Sequence, residues 1–248
     1  MQTPARGKPL GVLTYWVVAM LAVTAVIDIF GVVSLLIERS LVLDSVAGRP
    51  VSIEEAVASD NRVEAIGGWT LIALLVTGVL WCVWQHRAHS NLRAFSRSGL
   101  RYTPGWAVGW WFIPFASLWK PLGAMSELWK ASEPTDDPHA WSRARAWWVL
   151  GLWWACWIGG NLLDVVASAM QRESDLSTVA SSDIVAVIAR LVEITAAVCA
   201  VVILRDILGR QRALAPMSAT APPLPPPLPG ATVGLPPMPP PPPLPPLP

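Results

Sequence analysis

The sequence contains few charged residues and no recognisable catalytic motif. Only 14% of its residues are charged, whereas 53% are hydrophobic, and soluble domains contain about 25% charged residues. This composition predicts a protein embedded in the lipid bilayer, and the net charge of +1 argues against a nucleic-acid partner. The patterns GxxxxGK, HExxH and GxSxG are absent from the sequence. We therefore expect a non-enzymatic protein without a cofactor.

Cysteine and histidine are also scarce. Cys82, Cys156 and Cys199 lie singly within hydrophobic runs, which favours packing as small hydrophobes over a redox or zinc role. His86 and His89 are three residues apart, but they have no third ligand nearby in the sequence. We interpret them as a solvent-exposed pair at the membrane boundary, and we predict no metal site.

Four long apolar runs predict an all-α membrane protein with four transmembrane helices. The runs cover residues 10–37, 66–84, 146–170 and 184–204, and about 20 apolar residues suffice to cross a bilayer. A signal peptide has an apolar core of only ~7–15 residues, so the first run is interpreted as an uncleaved span. Ser52 and Glu55 form a capping-box pattern, which predicts a short helix from residue 53 leading towards the second run.

Residues 103–121, TPGWAVGWWFIPFASLWKP, are apolar but poorly suited to crossing a membrane. Pro114 blocks helical hydrogen bonding, and Trp side chains favour the headgroup region. Pro121 suits the first turn of a following amphipathic helix. The apolar face of that helix contains Leu122, Met125, Leu128 and Trp129, with Glu127 and Lys130 elsewhere. We predict that residues 103–131 form a Trp-rich element that does not cross the membrane and is either re-entrant or interfacial.

The distribution of Lys and Arg supports four crossings rather than five. With four crossings, 13 of the 18 basic residues lie on the side of the N-terminus and four on the opposite side. If the Trp-rich element crossed, the numbers would become seven and ten, which inverts the usual excess of cytoplasmic positive charge. We therefore predict a multi-pass protein of the inner (plasma) membrane with both termini cytoplasmic, residues 1–9 forming the N-terminal segment.

The Trp-rich element also carries a resemblance. The residues PGWAVGWWFIPFASLWKP, followed by AMSELWKAS, resemble the signature of an actinobacterial membrane-protein family known only as a domain of unknown function. The resemblance covers roughly residues 71–212, and Ser117 stands where the signature has Asn. It implies a membrane architecture and a host class, but no reaction or substrate. The matching positions are Pro104, Gly105, Trp106, Gly109, Trp110, Trp111, Phe112, Pro114, Lys120 and Pro121.

Four ionisable side chains lie within the predicted spans, where each costs ~2.5–3.5 kcal/mol on insertion scales. At 1.5 Å per residue, they fall between the midplane and about 10 Å outward of it. Three acids share one cation, which predicts that at least one acid is protonated or faces water. The set either fixes which helices touch or forms an ion or proton site. The predicted polar network comprises Asp28, Asn161, Asp164, Arg190 and Glu193.

The C-terminal residues 213–248 are rich in proline, and 17 of the 25 prolines lie at or after Pro216. Such a tract favours polyproline II over a packed core, so we predict a disordered tail. It either extends freely or docks onto a cytoplasmic protein that binds Pro-rich motifs. The sequence thus favours a membrane scaffold or adaptor, with a small transporter or ion-conducting protein as the alternative. It predicts no particular oligomeric state.

Overall fold

The fold is taken from a computed structural model, which describes residues 7–172 and 176–220. Within these residues the chain forms helices and no strand. The α-helices are α1 (Gly11–Val46), α2 (Ile53–Ala94), α3 (Pro104–Gly109), α4 (Lys120–Ala131), α5 (Trp148–Met170) and α6 (Leu176–Thr220). Short 3₁₀ turns occur at Trp110–Phe112, Ala116–Leu118 and Ala140–Arg143.

Helices α1, α2, α5 and α6 are long and apolar enough to cross a membrane. The prediction of four candidate spans is therefore confirmed. Helix α6 packs against both α1 and α5, and α1 packs against α2. Large apolar side chains such as Phe30, Leu74 and Val165 remain exposed on the outer surface of this bundle, as expected for side chains that contact lipid rather than water.

Helix α2 is one continuous helix from Ile53 to Ala94. Its start is correctly predicted, because the Ser52 hydroxyl accepts a hydrogen bond from the Glu55 amide while the Glu55 carboxylate accepts one from the Ser52 amide. The predicted short helix, the second span and the start of the basic segment are thus a single element. Since α2 has 42 residues and about 20 cross a bilayer, it extends well beyond the hydrocarbon.

The interpretation of His86 and His89 as an exposed pair is wrong for His89. His89 is buried, and its Nδ1 lies 3.0 Å from the carbonyl oxygen of Gln85, whereas His86 is exposed. The reason is that α2 stays helical through this segment, so His89 follows Gln85 by one turn on the face that packs inward.

Helix α6 also extends past its predicted end at residue 204, continuing to Thr220. Buried side chains recur every three or four residues along this extension, at Ile203, Ile207, Gln211 and Leu214, so the helix has an inward-facing stripe to bury. Residues 213–220 are therefore helical rather than disordered. The remaining part of the predicted Pro-rich tail, 221–248, lies outside the described residues.

The main core lies at one end of the bundle. It combines the first turns of α1, the last turns of α2, the first half of α5 and the last half of α6, together with α4. Trp81 of α2 stacks on Trp153 of α5 with ring centroids 5.4 Å apart. The chain therefore leaves α2 and enters α5 at the same end of the bundle, and the segment between them packs there.

Candidate functional site

An ionic cluster joins three of the four long helices. Asp28 of α1, Asp164 of α5 and Glu193 of α6 surround the guanidinium group of Arg190. Nη1 of Arg190 lies 3.0 Å from Glu193 Oε2 and 3.5 Å from Asp28 Oδ1, and Nη2 lies 3.9 Å from Asp164 Oδ1. Four of the five predicted network residues thus meet at one cation.

Small residues make room for this cluster. A Cβ atom on Gly160 would lie 2.7 Å from Cγ of Glu193, and one on Gly31 would lie 3.9 Å from Cδ of Arg190. Gly160 therefore allows the Glu193 side chain to cross the surface of α5, where any larger residue would force it to shift. Helices that pack through small residues can approach closely in a membrane.

The acids of the cluster differ in burial. The Asp28 side chain is 2% exposed and that of Asp164 is 33% exposed. Asn161 does not join them, because it is exposed and its Nδ2 donates to the carbonyl oxygen of Trp157 within α5. The cluster therefore crosslinks helices through Arg190, with one sealed carboxylate and one that reaches the bundle surface.

A second group of ionisable residues lies further along the same helices, and sequence reasoning missed it. Asp183 of α6 is fully buried, Glu38 of α1 is half-buried, and Arg39 donates to the carbonyl oxygen of Ala180. The sequence did carry a signal, because Glu38 follows Asp28 by ten residues and Asp183 precedes Arg190 by seven. The seven-residue spacing keeps Asp183 on the helix face of Arg190, whereas the ten-residue spacing turns Glu38 about 80° away from Asp28 around α1.

The Trp-rich segment between α2 and α5 packs through Trp111. Its ring makes edge contacts with Trp81, Trp153, Trp154 and Trp157, at centroid distances of 5.3–6.4 Å. Its Nε1 donates to Oε1 of the buried Gln85 at 2.8 Å. Nearby, Nε1 of Trp154 donates to the carbonyl oxygen of Leu118 at 2.9 Å. This segment is thus tied to both α2 and α5.

The predicted break at Pro114 agrees with the local structure. The chain turns through the 3₁₀ segments Trp110–Phe112 and Ala116–Leu118, and Phe115 between them has φ 61°, a conformation unusual for a bulky residue. Phe112 and Phe115 are 74% and 78% exposed. The turn therefore presents apolar side chains outward.

One side of the same segment forms a small cleft of about 270 Å³. Nζ of Lys120 lies 5.1 Å from the ring centroid of Trp110, a cation–π distance, and Trp110 packs on Trp106 at 5.0 Å. The cleft is lined by Arg101, Tyr102, Thr103, Trp106, Trp110 and Lys120. Several of the signature residues thus form one surface that combines positive charge with aromatic rings.

Helix α4 follows its predicted pattern with one exception. Pro121 lies in its first turn, and Met125 and Leu128 are buried. Glu127, however, is buried too, because its carboxylate accepts hydrogen bonds from the amides of Arg101 (2.8 Å) and Tyr102 (3.0 Å). Burial raises the pKa of Glu127, while the two backbone hydrogen bonds act in the opposite direction. The prediction that Glu127 lies away from the packed face is wrong.

Polar side chains at the end of α6 form another buried network that the sequence did not reveal. Nε2 of Gln211 donates to the Ala88 carbonyl oxygen (3.0 Å) and to Oγ of Ser132 (3.2 Å). Its Oε1 accepts from Nδ2 of Asn91, which also donates to the backbone of Lys8. The network therefore joins the N-terminal segment, α2, α4 and α6.

Across residues 7–172 and 176–220 the chain is all-helical, and its four helices that are long and apolar enough to cross a membrane indicate the class: a multi-pass integral membrane protein. The chain belongs to the family described as Domain of unknown function (DUF4328), whose pattern matches residues 47–209. The match begins just after α1 and contains α2, the Trp-rich segment, α4, α5 and most of α6. No curated protein and no solved structure matches the chain. The predicted membership of a family with a domain of unknown function is confirmed. The description of that family names no reaction.

Proposed function

We propose that the protein is a non-enzymatic membrane scaffold whose bundle is held together by the Arg190 cluster. The observation that carries this proposal is the convergence of α1, α5 and α6 on one guanidinium group, with distances of 3.0–3.9 Å. Polar residues inside membranes pair with one another when they serve packing. A single cation contacting acids from three helices suits a crosslink, because removing it would leave all three carboxylates uncompensated.

Replacement of Arg190 by Leu tests this role. We expect the variant to fail to accumulate or to lose several kcal/mol of stability, because removing one partner of a buried pair costs about 3–5 kcal/mol. Arg49→Leu is the matched control, since among the described residues Arg49 pairs only with Asp44, at an exposed site where such pairs contribute ~0–1 kcal/mol. Thermal unfolding in detergent compares the two variants. Equal stability of Arg190→Leu and Arg49→Leu would contradict the scaffold role.

The alternative is a small transporter or ion-conducting protein, and the partial exposure of Asp164 favours it. In that case Asp164→Asn would abolish proton or solute flux in proteoliposomes while leaving unfolding unchanged. The scaffold proposal expects the wild-type flux to equal that of empty liposomes. Flux that depends on Asp164 would contradict the scaffold proposal and support a transporter.

We further propose that residues 104–121 are the family signature and that they lie in the cytoplasmic headgroup region of an actinobacterial plasma membrane. The exposure of Phe112, Phe115 and Trp106 supports an interfacial position over a re-entrant one, because apolar rings exposed beside a helix bundle suit the boundary of the bilayer. The excess of Lys and Arg at this end supports a cytoplasmic location for both termini.

The adaptor part of the proposal rests on composition, because the Pro-rich residues 221–248 lie outside the described part of the chain. A polyproline II peptide docks into aromatic-lined grooves on proteins that bind PxxP motifs. A pull-down from cytoplasmic extract with a peptide of residues 221–248 should enrich such a protein. A peptide of the same length in which Ala replaces enough prolines to remove every PxxP pattern is the control, and equal enrichment by both would reject docking.

A further inference from the structure

A second cleft, separate from the Arg190 cluster and the Trp-rich segment, lies between the start of α1 and the end of α6. It measures about 360 Å³ and is lined by Thr14, Tyr15, Val18, Arg205, Leu208, Gly209 and Arg212. It lies at the same end of the bundle as the Trp-rich segment, because Thr14 accepts a hydrogen bond from Nε1 of Trp84 near the end of α2.

Two arginines give this cleft positive charge that nothing nearby neutralises. Arg205 and Arg212 are both exposed, and neither forms an ion pair within residues 7–172 and 176–220. The closest acid along α6, Asp206, already pairs with Arg210 and accepts from Nε1 of Trp129. Helix α1 has no acidic residue before Asp28. The cleft therefore favours an anion.

The two arginines are seven residues apart, which is two helical turns and roughly 10 Å along α6 at 1.5 Å per residue. They therefore share one face of α6, and their flexible side chains can converge on the same ligand. Arg212 approaches α1 closely, because a Cβ atom on Gly11 would lie 2.9 Å from its Nη2. Guanidinium groups bind phosphate oxygens through paired N–H donors.

Part of the cleft wall is apolar, which a site for a free anion would not need. Val18 and Leu208 line it, and the large side chains of Val12, Tyr15 and Trp16 beside it are exposed. Apolar side chains next to a cationic cleft suit a ligand that has both a charged head and hydrocarbon chains. Basic pockets between transmembrane helices bind anionic lipid headgroups in this way.

We propose that the α1–α6 cleft binds the phosphate headgroup of an anionic phospholipid, with Arg205 and Arg212 as its ligands. The acyl chains lie along the exposed apolar surface of α1. This site is independent of the scaffold role, because it uses neither Arg190 nor the acids that contact it.

The proposal is tested with the full chain in lipid nanodiscs or detergent by titrating phosphatidylglycerol and phosphatidylcholine and measuring retained lipid by native mass spectrometry. We expect phosphatidylglycerol to bind in preference to phosphatidylcholine. Arg205→Gln/Arg212→Gln should weaken that binding about 25-fold, from roughly five-fold per cation near the surface. The control Arg87→Gln/Arg143→Gln removes two exposed cations outside the cleft that form no ion pair in the described part of the chain, and it should change binding less than two-fold. Equal effects of the two double variants would overturn the proposal.

Two further arms make the result specific. Inorganic phosphate at the concentration of the lipid should leave phosphatidylglycerol bound, and displacement of the lipid by phosphate would assign the cleft to a soluble anion and overturn the lipid assignment.

Gly11→Leu keeps both arginines but forces the Arg212 guanidinium to move, so it should also weaken lipid binding. If all variants unfold at the same temperature in lipid-free detergent, a loss of lipid binding does not result from a loss of fold. Unchanged lipid binding by the Gly11→Leu variant would exclude a headgroup held between Arg212 and α1.

Discussion

At the scale of single residues, Trp111 packs the Trp-rich segment against the helix bundle. Its ring contacts tryptophans of both α2 and α5, and its indole N–H donates to the buried side-chain oxygen Oε1 of Gln85. Trp111 therefore has two separate structural roles, one through ring packing and one through a hydrogen bond. A substitution that keeps an aromatic ring but removes the N–H separates the hydrogen bond from most of the packing.

Trp111→Phe should lower the free energy of unfolding by about 1–3 kcal/mol, because it leaves a buried acceptor without its donor. Trp106→Phe in the same segment changes an exposed ring and should have an effect within about 0.5 kcal/mol. Denaturant unfolding in detergent measures both. If the hydrogen bond carries the effect, Trp111→Phe/Gln85→Leu will lose less than the sum of its single variants. Strict additivity would argue that packing alone is responsible.

The charged residues that the sequence singled out inside the apolar runs differ in one physical respect from the polar residues that it misplaced. Asp28, Asp164, Arg190 and Glu193 were recognisable because charge inside an apolar run is costly anywhere in the membrane. Glu127 and His89 were misplaced, because polar residues outside the apolar runs are normally assigned to solvent. Their burial depends on a tertiary contact, in the case of Glu127 with the backbone of Arg101 and Tyr102. No helical periodicity within α4 encodes that contact.

At the scale of elements, α6 is the helix that connects the rest of the bundle. It packs on α1 and α5 within the apolar region, and beyond that region its final turns contact α2 and α4 through Gln211. The end of helix α6 could not be located from hydropathy, because the helix continues with an amphipathic pattern after the apolar run stops. Helix starts were easier to predict where a cap was present, as at Ser52, since capping chemistry is local.

Gln211→Ala should lower the free energy of unfolding by about 1–3 kcal/mol, since it removes the buried hydrogen bonds of Gln211 to Ala88, Asn91 and Ser132, each worth about 0.5–1.5 kcal/mol. It should also speed hydrogen exchange at the Lys8 amide, because Asn91 holds that amide at 2.7 Å and loses its own support from Gln211. Asn161→Ala is the matched control, since Asn161 is an exposed amide bonded only within α5 among the described residues. If Gln211→Ala changed the free energy of unfolding and the exchange of the Lys8 amide no more than Asn161→Ala does, the Gln211 network would not join α6 to the N-terminal segment, α2 and α4.

At the scale of the whole molecule, the number of long apolar helices was predictable and their lengths were not. The apolar runs reveal how many segments can cross. The polar start of α2, in contrast, is helical with a cap at Ser52, and the polar end of α6 is helical with buried contacts through Gln211. The arrangement of α1, α5 and α6 around Arg190 was foreseen only as a shared layer of charge. The sequence does not specify how each helix is rotated about its axis. It therefore did not predict that Asp28 is the buried acid or that Asn161 lies outside the cluster.

The topology proposed for the whole chain has the Trp-rich segment start and end on the same side of the membrane, so that the chain crosses four times. Single cysteines replacing the exposed Ser45, Ser96 and Ser142, in a chain whose Cys82, Cys156 and Cys199 are changed to Ala, report this directly. An impermeant maleimide applied to sealed, oriented vesicles should label Cys at 96 and 142 from one side and Cys at 45 from the other. Labelling of positions 96 and 142 from opposite sides would contradict the account.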